Sequence, residues 1–191
     1  IPQGAKAGGL WRERCVPFES NEINFLNQLI KFNQHKKGKQ PMNVRYTPFE
    51  NRFKGQTHIH STMSDGGKSY PEIAELYSEC GYDFAFITDH RYYGDIASSS
   101  TSDILLIDGI ELDGSDRDGA YYHIVGLDFN RPFDPQLPLE RGIALLQDEG
   151  AVMILAHPHW SGNTSAEALK YPFDGVEVYN NVCHVMNGKS I

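Results

Sequence analysis

Three residues in one short stretch, His58, His60 and Asp65, have the types and spacing needed to hold a metal ion. If residues 56–62 form a β-strand, His58 and His60 point to one face while Thr57 and Ile59 point to the other. The polar, glycine-bearing loop that follows lets Asp65 fold back and present a carboxylate to the same point. On its own the pattern also fits two surface histidines and a turn aspartate. It gains weight from His90, Glu111, His157 and His159, which like His58 and His60 lie at or near the ends of extended runs. Polar side chains closing several buried strands would leave charge and unpaired atoms in the core at substantial cost, and metal coordination removes that cost.

The donor types narrow the chemistry. Several imidazoles with two carboxylates suit zinc, iron or manganese, whereas an oxygen-only cage would suit calcium or magnesium. Glu111 bridging two such ions would lower the pKa of a shared water, so that a hydroxide generated on the metals is the expected nucleophile. The ions would also neutralise charge as it develops on the transferred group. No Ser-His-Asp or nucleophile-elbow pattern competes. Arg91 is either a guanidinium beside a substrate phosphate or half of a surface salt bridge. Lys68 and Tyr92 are further candidates for substrate contact. Asp89 is expected to orient a ligand histidine through its other ring nitrogen. His159 is open between ligation, substrate binding and lining the mouth. Cys183 and His184 read as structural before they read as a metal pair.

These residues need a scaffold. Strands are expected at Gln56–Thr62, Phe84–Thr88, Ile104–Leu112, Tyr121–Asp128, Val152–Ala156 and Gly175–Tyr179, and helices at Pro71–Cys80, Pro138–Glu149 and Thr164–Lys170. Strands separated by helices imply parallel pairing with cover on both faces, hence an α/β barrel or doubly wound sheet. Polar residues at strand ends favour the barrel. Residues 1–54 read as a lead-in with one amphipathic helix, Ser20–Gln34, in which Ile23, Leu26, Leu29 and Ile30 recur at helical spacing; His35 closes it as a solvated end.

Composition sets the outer bounds. A chain of 191 residues, 40% hydrophobic and 22% charged, fits one globular domain. Net charge of −8 argues against a duplex nucleic acid partner. No apolar run reaches the length of a membrane span, and the first residues do not resemble a signal peptide. A cytoplasmic protein is favoured, with a processed, exported one left open. Cys15, Cys80 and Cys183 are too scattered for a disulfide framework and are expected as buried thiols. The sequence carries no reading of oligomeric state.

From Gly55 onward the motifs, taken in order, resemble the PHP (polymerase and histidinol phosphatase) superfamily. His58-Ile-His60 with Ser64-Asp65-Gly66 is similar to its first motif, Ile87-Thr88-Asp89-His90 to its second, and Gly109-Ile-Glu111, His123 and Leu155-Ala156-His157-Pro158 to later ones. The spacing is closest to the stand-alone phosphoesterases and to a carbamate-hydrolase-like branch. The resemblance implies a distorted seven-stranded (βα) TIM-like barrel over residues 55–191 and two to three divalent ions of manganese, iron or zinc. It places His58 and His60 on one metal, Glu111 between two, His123 and His157 on the second, and Asp65 and His90 on the third. Members of the family end the barrel with an Asp-x-His motif, which this sequence does not reach by Ile191. A (β/α)8 barrel takes about 250 residues, so the barrel is expected to be incomplete here. A fragment of a longer protein is the expectation, with elements supplied by another chain or a reduced site as alternatives; a strand at Gly175–Tyr179 would otherwise expose an edge. The expected function is a metal-dependent phosphoesterase acting on a phosphate monoester or small nucleotide. The alternatives are a carbamate, ester or amide hydrolase on the same site, or a catalytically silent metal-binding module.

Overall fold

The computed structural model describes residues 53–94, 96–101 and 103–187. Residues 1–52 of the expected lead-in, including its Ser20–Gln34 helix, Cys15 and His35, lie outside the described residues. Along the chain come β1 (Gly55–Gln56), α1 (Tyr70–Glu79), β2 (Phe84–Ile87), a 3-10 turn (Ala97–Ser99), β3 (Leu105–Ser115) and β4 (Tyr121–Leu127). Then follow α2 (Leu139–Asp148), β5 (Val152–Leu155), α3 (Pro158–Ser161), α4 (Ser165–Ala168), β6 (Gly175–Val176) and α5 (Asn181–Asn187). None of these helices is long and apolar enough to cross a membrane.

The class is α/β, as expected, but the pairing is mixed. Six strands lie in chain order in one sheet. β1, β2 and β3 pair parallel, β3–β4 and β4–β5 antiparallel, and β5–β6 parallel. The expectation of all-parallel strands is corrected at β4. A parallel neighbour needs a crossover connection, and between Ser115 and Tyr121 the chain has only a tight turn, so β3 and β4 form a hairpin. Gly119, at φ +86°, supplies the left-handed residue of that turn.

β1 is shorter than expected because its ladder ends early. Only Gly55 and Gln56 pair with Phe84 and Ala85. Beyond them the Thr88 side chain replaces a backbone partner: the Ile59 N–H donates to Thr88 Oγ1 at 3.1 Å, while the Thr88 N–H donates to the Ile59 carbonyl at 2.7 Å. β3 runs past its expected end to Ser115 and changes neighbours on the way, parallel to β2 up to Asp108 and antiparallel to β4 from Gly109.

Alternation decides what each face of the sheet does. On β4, Tyr122 and Ile124 join Ile110, Leu112, Met153 and Leu155 under α2, whose Leu139, Ile143 and Leu146 complete that core. α1 covers the neighbouring part with Ile73 and Ala74 packed on Ile59, Ala85 and Ile87. The opposite face carries only a small apolar cluster of Val125, Leu127, Ile154 and Ala156. By the two-residue period, Glu111 and His123 project from that second face. Cys183 is a buried free thiol as expected, whereas Cys80 is disulfide-bonded, which corrects the expectation there.

Candidate metal centre

Glu111 sits in the middle of β3 with its side chain fully buried and is surrounded by imidazoles. Its Oε2 lies 3.2 Å from His58 Nε2, 2.6 Å from His60 Nε2 and 3.5 Å from His90 Nδ1. Its Oε1 lies 2.8 Å from His123 Nδ1 and 3.5 Å from His157 Nε2. Each ring reaches this point from a different element: His58 and His60 from the extension of β1, His90 from the end of β2, His157 from the end of β5. His123 arrives from near the start of its strand, because β4 alone runs the other way. The hairpin thus brings a strand beginning to where the other strands end.

The hydrogen bonds show why this cluster fits a cation. His58 Nδ1 lies 3.2 Å from Glu177 Oε1, and His60 Nδ1 lies 2.6 Å from Asp65 Oδ1. A neutral imidazole carries one N–H, and a carboxylate beside Nδ1 draws the proton there. Both Nε2 atoms then present lone pairs, to each other at 3.1 Å and to Glu111. Acceptor faces acceptor, and only protons or a metal ion resolve the conflict. His90 Nδ1 is buried without a hydrogen-bond partner, although Asp113 Oδ1 lies 3.3 Å away. Three sets of donors gather within 4.8 Å of one another: His58, Glu111 and His157; His60, Asp65 and His90; His90, Glu111 and His123. His58 falls with His157 here, a different partition from the one the resemblance implies.

Without metal, protons fill the gap. Burial opposes a charge on His58, but Glu111 and Glu177 outweigh it and push its pKa up to about 10. His90 is also raised, against burial, by Asp113, Glu111 and Asp65. Burial alone would raise Glu111; the surrounding imidazoles instead hold it well below the usual carboxylate range.

Three carboxylates position the donors. Glu177, just beyond β6, faces His58 and accepts the His157 N–H at 2.9 Å. That second bond secures a strained residue, since His157 stands at φ 25° directly before a proline. Asp113, two residues past Glu111 on the same face of β3, faces His90. Asp89, expected to orient a histidine, instead accepts from the Ser61 N–H at 2.7 Å, from Ser61 Oγ at 2.6 Å and from Ser64 Oγ at 2.6 Å. It therefore clamps the loop that carries Asp65. Gly66 is required there, because a Cβ would stand 2.0 Å from the His60 carbonyl. The sequence reading missed Glu177 and Asp113. Glu177 lay within the expected last strand, and Asp113 at Glu111 plus two, so the strand-end and alternation rules applied to both.

Of the expected site residues, His58, His60, Asp65, His90, Glu111, His123 and His157 are brought together, and His159 and Arg91 are not. His159 is exposed on α3. Two residues share a face on a strand but not on a helix, and the helix begins right after His157. Arg91 is spent on backbone: its Nε donates to the Asp113 carbonyl at 2.8 Å, and its Nη1 to the carbonyls of Pro135 at 3.0 Å and Leu137 at 2.9 Å. The guanidinium ties β3 to the loop before α2. His184 is exposed on α5, its ring against Tyr179 and outside the donor sets. Tyr92 is 38% exposed and Lys68 partly buried, neither in a donor set.

No protein-family model matches the chain. A curated relative, the DNA polymerase/3'-5' exonuclease PolX of Bacillus subtilis, is 35% identical over 74 residues, which cover 39% of this chain and 13% of the relative. Among solved structures, a two-domain protein of Bacteroides vulgatus containing a predicted PHP-like metal-dependent phosphoesterase superposes with a TM-score of 0.51 at 22% identity. That match covers 67% of this chain and 44% of the other. The chain shares this fold, and its motifs resemble the PHP superfamily.

Proposed function

We propose that this chain is a metal-dependent hydrolase of the phosphoesterase type, acting on a phosphate monoester or small nucleotide. One observation carries the reading: a fully buried carboxylate faced by five imidazoles, two of which have a second carboxylate at their other ring nitrogen. His58, His60, His90, His123, His157, Asp65 and Glu111 would hold two or three divalent ions of manganese, zinc or iron. Bound there, such ions supply an activated water and neutralise charge on the transferred group.

The chain's own residues do the rest. Glu177 keeps the Nδ1 proton of His58 and fixes the backbone of His157. Asp113 faces the His90 ring at 3.3 Å, and Asp65 holds His60. Glu111, placed between both histidine groups, sets their separation. With Arg91 engaged elsewhere, phosphate recognition is left to the metal sites and their rim. The fold shared with a protein described as containing a phosphoesterase favours phosphate over acyl substrates.

Elemental analysis of protein purified without chelator, with hydrolysis of p-nitrophenyl phosphate and a p-nitrophenyl ester in parallel, tests the reading. The expected result is two or more metals per chain and phosphate-ester turnover abolished by EDTA. Ester turnover alone would move the substrate to an acyl group, and metal without any turnover would indicate a silent module.

A further inference from the structure

We propose, building on the phosphoesterase reading above, that Trp160 and Tyr121 form a subsite for a planar aromatic ring carried by the substrate. Tyr121 lies two residues before His123 on β4, and its ring centre stands 5.3 Å from that imidazole at 64°. Trp160 comes from the other side of the hairpin, on α3, where three residues of helix return it to the side of His157. Its indole packs at 5.2 Å and 84° on His157 and at 5.6 Å and 81° on His123. Both rings therefore stand beside the histidines that face Glu111 Oε1.

The pair is exposed and held in place. Tyr121 is 44% exposed, a large ring left in water at the edge of a polar centre, and Trp160 is only partly buried. The Trp160 indole N–H has no hydrogen-bond partner among the described residues. The two segments are tied together, since the Asn163 side-chain amide donates to the Tyr121 carbonyl at 2.8 Å. The Tyr121 hydroxyl is directed to Asp113 Oδ2 at 3.4 Å. Rings fixed before the ligand arrives lose little freedom on binding. A flat π-system gains on such rings through area and quadrupole complementarity, which a saturated ring of equal size does not match. The ligand chemistry is an organic phosphate bearing an aromatic ring, either a nucleobase or a simple aryl group.

The test measures binding of benzylphosphonate and cyclohexylmethylphosphonate to the full chain loaded with manganese, by isothermal calorimetry. Hydrolysis of benzyl phosphate and of adenosine 5′-monophosphate is followed alongside. Benzylphosphonate is expected to bind about tenfold more tightly than its saturated analogue. Trp160→Ala should erase that ratio, Trp160→Phe should retain most of it, and Tyr121→Ala should reduce it, with manganese content measured in each variant. Equal affinities in the unsubstituted chain, binding of neither phosphonate, or a ratio unchanged in both alanine variants would overturn the subsite. A ring preference without hydrolysis keeps the subsite and overturns the phosphoesterase reading; hydrolysis without a ring preference does the reverse. Competition by adenosine monophosphate stronger than by benzylphosphonate supports a nucleobase ligand, and weaker competition supports a simple aryl one.

Discussion

Two carboxylates on and just after β3 are equally buried and differently used. The Asp116 and Glu111 side chains are both 0% exposed. Around Asp116 every partner brings a proton: Oδ1 accepts from the backbone of Asp118 at 2.9 Å and Ala120 at 3.1 Å, and Oδ2 from Lys170 and from the Tyr171 hydroxyl at 3.1 Å. Around Glu111 the nearest partners are imidazoles, and two of them, His58 and His60, are shared with a second carboxylate, Glu177 or Asp65, at the other ring nitrogen. A buried charge met by protons closes a turn and docks it on the neighbouring segment. A buried charge met by imidazoles that other carboxylates also claim is an invitation to a cation. Burial alone does not separate a structural acid from a functional one; the protonation of its neighbours does.

The largest effect expected from breaking this contrast is at its centre. Glu111→Gln should lower metal affinity by more than about a hundredfold and abolish hydrolysis; elemental analysis after gel filtration checks the first, and retention of stoichiometric metal would sink the proposed centre. Next, Glu177→Gln should weaken metal binding by about 10–100-fold by freeing the His58 ring and the His157 backbone. A competition titration with a chromogenic chelator reads that change, and an unaltered affinity would remove Glu177 from the centre.

A third expected effect concerns protons. In the metal-free chain, His58 titrates near 10, above its unfolded value. Its contribution to stability is therefore fully present below the unfolded histidine pKa of about 6.5 and is lost as pH rises through about 10. Glu111 has the opposite sign: its contribution is present above the unfolded carboxylate value and is lost as pH falls through its depressed folded one. Metal uptake at neutral pH should release protons, and metal loading should remove the alkaline loss of stability. Calorimetry in two buffers of different ionisation enthalpy counts the protons, and zero release would contradict the assignment.

Smaller effects follow away from the centre. Asp89→Asn should cost about 1–3 kcal/mol in urea unfolding, since it weakens the clamp on the 61–64 turn, and should lower the affinity of the set containing Asp65 before the others. Asp116→Asn sharpens the comparison most cleanly: the urea midpoint should fall while metal content stays unchanged. A metal loss as large as that of Glu111→Gln would show that the two acids are not distinct in kind.

Local chemistry made much of this legible from the sequence. The period of two placed His58 and His60 on one face with Ile59 on the other, and apolar runs bounded by glycine located the helices and strands after β1 to within a few residues. Donor types, fixed by the residues themselves, set the expectation of a first-row ion such as zinc, iron or manganese. Only the tertiary structure decided which donors meet. The turn after Ser115 reversed β4 and carried His123 to the strand ends. The helix begun at Pro158 turned His159 outward and Trp160 inward, whereas a continued strand would have kept His157 and His159 together. Arg91 and Asp89 sit beside His90 in sequence, yet their donors and acceptors are consumed by loops 135–137 and 61–64. The physical reason is that side-chain direction follows from local backbone geometry, which short patterns encode. Hydrogen-bonding partners are set by chain segments distant in sequence, and no local pattern encodes them.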